Sequence, residues 1–157
     1  MQKIAPCLWC DGNAEEVARF YTSVFSNSRI ATTLHYTEAG PGPEGGVLAV
    51  TFEIDGQEFM AMNGGPDYPF TPAISLFVHC GSQQEIDHYW AKLGEGGAPW
   101  QCGWLRDKFG VSWQIAPDAL LRMLQDPDRA KANRVMQAMM TMIKLDIATL
   151  EEAYRGG

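Results

Sequence analysis

Two cysteines three residues apart, Cys7 and Cys10 in "APCLWCDGNAEE", have the Cys-x-x-Cys spacing of redox enzymes and zinc knuckles. A redox pair begins a helix, whose N-terminal dipole lowers the thiol pKa, but here Asp11, Gly12 and Asn13 separate Cys10 from the next helical pattern. On a strand the two side chains point to opposite faces with Cα atoms roughly 10 Å apart, beyond the reach of a disulfide. A zinc knuckle needs a second such pair, whereas Cys80 and Cys102 stand singly. The four thiols therefore read as reduced packing residues. His79, near the end of an apolar strand pattern, is a better candidate for chemistry, because imidazole titrates near neutrality and can orient or deprotonate a ligand. The competing reading is a structural histidine. Asp107 and Lys108 sit at a turn that could close over a ligand or simply reverse the chain.

The elements that must carry these residues follow a repeated grammar. "KIAPCLWC" reads as a strand stopped by Asp11-Gly12-Asn13, and Asn13-x-x-Glu16 has the form of a capping box. Val17, Phe20, Tyr21, Val24 and Phe25 then mark one apolar helical face. "RIATTLHYT", "GVLAVTFEI" and "QEFMAMN" read as strands, the first two separated by the Gly/Pro-rich "EAGPGPEGG" and the last two joined by an Asp55-Gly56 hairpin turn. After a linker at 65–72 the grammar returns: "AISLFVHC", the capping box Ser82-x-x-Glu85, a helix with Ile86, Tyr89, Trp90 and Leu93 on one face, and the strands "WQCGWLRD" and "VSWQIAP". "EVARFY" and "EIDHYW" align locally. The fold class expected is α+β, with a β-α-β-β-β module at 1–64, a second at 73–117, and a helical extension at 118–157, all in one domain. In the extension, Met123, Met136, Met139, Met140 and Met142 follow helical spacing and read as core or subunit interface.

Composition excludes several partners. Twelve basic residues against nineteen acidic give a net charge of −7 without a Lys/Arg cluster, so a phosphate backbone is repelled. No apolar run is long enough to span a bilayer, and Asp11 ends the N-terminal apolar run before a signal-peptide core forms. The expectation is a cytoplasmic protein that binds neither nucleic acid nor membrane.

At this point a resemblance enters. The paired modules resemble the vicinal oxygen chelate superfamily of glyoxalase I, extradiol dioxygenases and the bleomycin and fosfomycin resistance proteins. More specifically, "LWCDGNAEEVARFY", "FMAMNGGPDYPFTPAISL" and "QCGWLRDKFGVSWQIAP" are similar to the PhnB-like family, labelled as demethylubiquinone methyltransferase homologues. The resemblance implies two modules that form a curved mixed-sheet cup, pairing of modules between chains as a homodimer, and four metal-ligand positions. Those positions fall on Pro6, Met60, Ala73 and Gln114, none a usual ligand for a hard divalent ion, so no metal and no cofactor is expected. A shifted metal site using His79, Glu58 or Cys102 is the alternative. The methyltransferase label implies S-adenosylmethionine, yet no Gly-x-Gly loop after a strand opens a helix.

Alternation supports the same register from the residues themselves. Ile74, Leu76 and Val78, with Val111, Trp113 and Ile115, read as the helix-covered side. That leaves Ala73, Ser75, Phe77, His79, Ser112 and Gln114 facing the cup. Pro6, Leu8, Met60 and Met62 join them from the first module, and Trp104 joins if its hairpin has the expected parity. Such a surface, apolar with a few polar groups, suits a small-molecule ligand. The bland reading is that these residues fill space between modules.

Overall fold

β-branched and aromatic runs with period-two alternation become strands, and the amphipathic stretches between them become helices. The computed structural model describes residues 2–156. It has two compact units, Met1–Pro69 and Phe70–Gly157.

In the first unit, β1 (Cys7–Cys10), α1 (Ala14–Val24), β2 (Arg29–His35), β3 (Val47–Ile54) and β4 (Gln57–Asn63) form the first expected β-α-β-β-β module. Its four-stranded mixed sheet has the order β1-β4-β3-β2, with β1 parallel to β4 and the other pairs antiparallel. Helix α1 buries Val17, Ala18, Tyr21 and Val24, with Tyr21 against Phe52 at a ring separation of 6.3 Å. Val50, Phe52, Phe59 and Ala61 complete that core. The Asp55-Gly56 turn takes positive φ at both residues, 48° and 79°, as the two-residue hairpin requires.

The first capping box does not form. Asn13 occupies the N-cap without a side-chain bond, and Asn63 Oδ1 from β4 instead accepts from the Ala14 amide at 2.9 Å. A tertiary neighbour supplies the acceptor that local sequence seemed to provide. The second box does form at its forward arm, with Ser82 Oγ accepting from the Glu85 amide at 3.2 Å. Its reverse arm lands one residue early, on the Gly81 amide.

The second unit repeats the topology with β5 (Ser75–Cys80), α2 (Gln83–Gly94), β6 (Ala98–Pro99), β7 (Trp104–Arg106) and β8 (Ser112–Pro117) in the order β5-β8-β7-β6. Ile86 and Leu93 of α2, with Val78, Leu105, Trp113 and Ile115, are buried. Ile74 was expected beneath the helix with Leu76 and Val78, but it precedes β5 and is 80% exposed. Strand alternation does not govern a residue in the preceding turn.

Three helices follow: α3 (Asp118–Leu124), α4 (Arg129–Met140) and α5 (Ile147–Arg155). Leu120, Met123, Val135, Leu145 and Leu150 bury against Ala116 at the end of β8. Helix α4 stops sooner than the methionine spacing suggests, and 141–146 turns back over the β6–β7 connection. There the Cys102 and Gly103 amides donate to the carbonyls of Met142 and Ile143 at 2.9 and 2.8 Å. The methionines divide accordingly: Met123 is buried, Met139 and Met142 flank the core, and Met136 and Met140 are exposed.

Candidate functional site

Laterally paired residues in a sheet share a face, so the registers test the expected grouping directly. In the second unit Ser75 pairs with Ser112, Phe77 with Gln114, and His79 with Ala116. Trp104 and Arg106 pair in turn with Gln114 and Ser112. Thus Ser75, Phe77, His79, Ser112, Gln114 and Trp104 lie on one face, opposite the buried Val78, Trp113, Ile115 and Leu105 under α2. This is the face not covered by α2. Phe77, Gln114 and Trp104 form a single row across three strands, roughly 10 Å from first to last at ordinary strand spacing.

The row continues past β7. The Trp100 amide donates to the Trp104 carbonyl at 2.9 Å, and the two indoles meet edge to face with centroids 5.7 Å apart. Pro72, Ala73, Gln101 and Cys102 join them around an open groove of about 470 Å³. Two expected pocket residues, Ala73 and Trp104, therefore line one groove. Trp100, which is 52% exposed, lines the groove with Pro72, Gln101 and Cys102, none of which is among the expected pocket residues. Its signal was available as an aromatic beside the Gly-rich "GEGGAP", but a two-residue strand leaves no alternation to read. Cys102 Sγ lies 3.9 Å from Met140 Sδ at the edge of this region.

Polar groups on the face are organised in two places. Gln114 Nε2 donates to Ser75 Oγ at 3.0 Å, which ties the two strands and presents the amide beside Phe77. At the far end, His79 Nδ1 lies 3.2 Å from Asp118 Oδ1, at the first position of α3. The imidazole also sits against the Phe77 ring at 4.8 Å, tilted 49°.

Asp107 has a different role from a lid. It is buried, and its carboxylate accepts from the Phe109 and Val111 amides at 2.9 and 3.0 Å and from Trp113 Nε1 at 2.8 Å. Those bonds brace the β7–β8 turn.

The first unit corrects the grouping of its four expected residues. Cys7 pairs with Met60 and Trp9 with Met62, whereas Leu8 pairs with Ala61 on the α1-covered face. Leu8 therefore does not share a surface with Met60 and Met62. Pro6 precedes β1, and its carbonyl accepts from the Met60 amide at 2.9 Å, so Cys7 is the β1 residue placed beside Met60. Strand parity does not carry across the 11–13 turn that separates α1 from β1.

Cys7 and Cys10 lie on opposite faces of β1, and all four cysteines are free. Burial, then the nearby Cys7, pushes the Cys10 thiol up to about 11, against a smaller opposing effect of a hydrogen bond with the Met62 backbone. Burial, followed by Glu85 and Asp118, pushes Cys80 up to about 12. Neither has the lowered pKa of a redox nucleophile. Among the described residues no three His, Cys, Asp or Glu side chains converge on one point, and no helix is long and apolar enough to cross a membrane.

Residues 2–116 match the family model described as 3-demethylubiquinone-9 3-methyltransferase. A solved PhnB protein from Bacillus cereus, described with the same methyltransferase name, is 43% identical over 74% of this chain and 99% of its own, with a TM-score of 0.67. At the level of fold alone, a protein from Pseudomonas aeruginosa is 21% identical over 74% of this chain and 98% of its own, with a TM-score of 0.61. The fosfomycin resistance protein FosX from Mesorhizobium loti is 13% identical over 80% of this chain and 100% of its own, with a TM-score of 0.57. No curated protein sequence matches the chain. From the family match and its near-complete coverage of the B. cereus protein, this chain belongs to the PhnB-like, 3-demethylubiquinone-9 3-methyltransferase family.

Proposed function

We propose that the chain binds a small, planar organic molecule on the open face of its second module, along Phe77, Gln114 and Trp104 and into the Trp100–Trp104 groove. The observation that carries this reading is the aromatic row itself: three aromatic side chains and one amide on a sheet face that α2 leaves uncovered. Exposed aromatic rings stack on flat ligands, and a few fixed polar groups orient them. Ala73, Ser75, His79 and Ser112 belong to the same reading. Within the first module, Met60 and Met62 share a face with Cys7 rather than with Leu8.

Metal-free binding is part of the proposal and rests on donor chemistry. Pro6 and Ala73 carry no side-chain donor, Met60 offers a soft thioether and Gln114 a neutral amide, and the Cys7 thiol that the register sets beside Met60 is a single donor whose pKa burial raises. The methyltransferase name belongs to the family and does not by itself assign a reaction. FosX is named for fosfomycin resistance, and small-molecule binding is the property that the present proposal shares with that name.

Saturable quenching of tryptophan fluorescence by flat aromatic compounds, lost in Trp104→Ala with unchanged melting temperature, is the expected result. Equal quenching in Trp104→Ala overturns the proposed site. The metal-free part has its own test. Occupancy at 100 times Kd would stabilise the fold by about 2.7 kcal/mol, a melting-temperature rise of about 5 to 10 °C for a chain of this size. EDTA-treated protein should show no such rise with nickel, zinc, manganese or iron.

A further inference from the structure

We propose that His79 is a general base for the ligand held on this face, with Asp118 as its positioning residue; the inference rests on the binding reading above. Three observations converge. Nδ1 of His79 is 3.2 Å from Asp118 Oδ1, so an ionised Asp118 holds the proton on Nδ1 and leaves the Nε2 lone pair available. Nε2 makes no hydrogen bond among the described residues. The ring lies against Phe77, whose strand partner is Gln114, so the base stands at one end of the aromatic row rather than apart from it. Asp118 lies beyond the family-matched segment, at the first position of α3, and the buried Pro117 before it and Leu120 after it fix the chain there. The base is thus completed by the helical extension.

The substrate class that fits is a planar, conjugated molecule with an acidic C–H bond. Phe77 supports its plane, Nε2 takes the proton, and the amide of Gln114, held by Ser75, can donate its second N–H to an oxygen that gains negative charge.

5-Nitrobenzisoxazole is a suitable probe, because its opening needs only a base. Nε2 removes the proton from C3, the C–H electron pair completes the nitrile, and the N–O bond breaks with its electron pair on the phenolate oxygen. The imidazolium then returns its proton to water. No oxidant or co-reactant is required. Wild type should open the probe at least about 10-fold faster than His79→Gln. Nitrogen NMR should show the Nδ1–H tautomer in wild type and a shift toward Nε2–H in Asp118→Ala, with a parallel loss of rate; a merely structural aspartate would leave the tautomer unchanged. Quenching by the probe is measured on the same samples. Saturable binding with a rate no greater than that of His79→Gln overturns the general base and leaves the binding site standing. Absence of saturable binding overturns both.

Discussion

Trp113 Nε1 donates to Asp107 Oδ2 at 2.8 Å, while the other oxygen of the same carboxylate receives the amides of Phe109 and Val111. One buried side chain thus closes the β7–β8 turn and fixes the indole that packs beneath the sheet. Replacing it leaves three donors without their acceptor in a buried site. Asp107→Ala should therefore cost about 3 kcal/mol, and Asp107→Asn less, because one amide oxygen can still accept. Urea denaturation of the two variants checks this, and a loss below about 1 kcal/mol for Asp107→Ala would show that the brace is redundant.

Gly103 has φ near +85°, and a Cβ built there would lie 2.9 Å from both the Ile115 carbonyl oxygen and Leu145 Cδ1. The first neighbour is backbone and cannot swing aside. Gly103→Ala should lower stability by more than about 1 kcal/mol, since it combines unfavourable φ with the clash. Because Leu145 and Ile143 dock at this point, limited proteolysis should cut first within 140–147 in the variant. Unchanged protection there would sink the assignment of Gly103 as the docking point.

Cys10 and Cys80 are held protonated by burial, at about 11 and about 12. A thiol whose folded pKa lies above its unfolded value makes the native state bind more protons in that window. Stability should then fall as pH rises above the ordinary thiol range near 9.0, and continue falling toward 11 to 12. Cys10→Ala and Cys80→Ala should each show a shallower alkaline decline in denaturation midpoint than wild type. At about pH 8, a thiol reagent should label Cys7 and Cys102 in the native protein and reach Cys10 and Cys80 only after unfolding.

Ile74 is 80% exposed in the turn before β5. Ile74→Lys removes no buried contact, so its effect on stability should stay within about 0.5 kcal/mol. Val78→Lys, four residues on and buried under α2, should prevent folding. Equal damage from both substitutions would place Ile74 in the core after all.

Local patterning by itself determined the double β-α-β-β-β grammar, the Asp55-Gly56 turn and the shared face of Ser75, Phe77, His79, Ser112 and Gln114, because period-two alternation on a half-covered strand forces each side chain to one side. Where the chain leaves regular structure, parity no longer propagates. Hence Leu8 lies with Ala61 on the α1-covered side of β1, Ile74 lies in the turn before β5 rather than in the strand, and Trp100 follows a two-residue strand that has no alternation to read. Only tertiary structure decided that Asn63 rather than Asn13 caps α1, that Asp107 braces a turn, and that Asp118 reaches His79. Each is a hydrogen bond to one particular atom, and its geometry depends on how elements pack rather than on the pattern within any one of them.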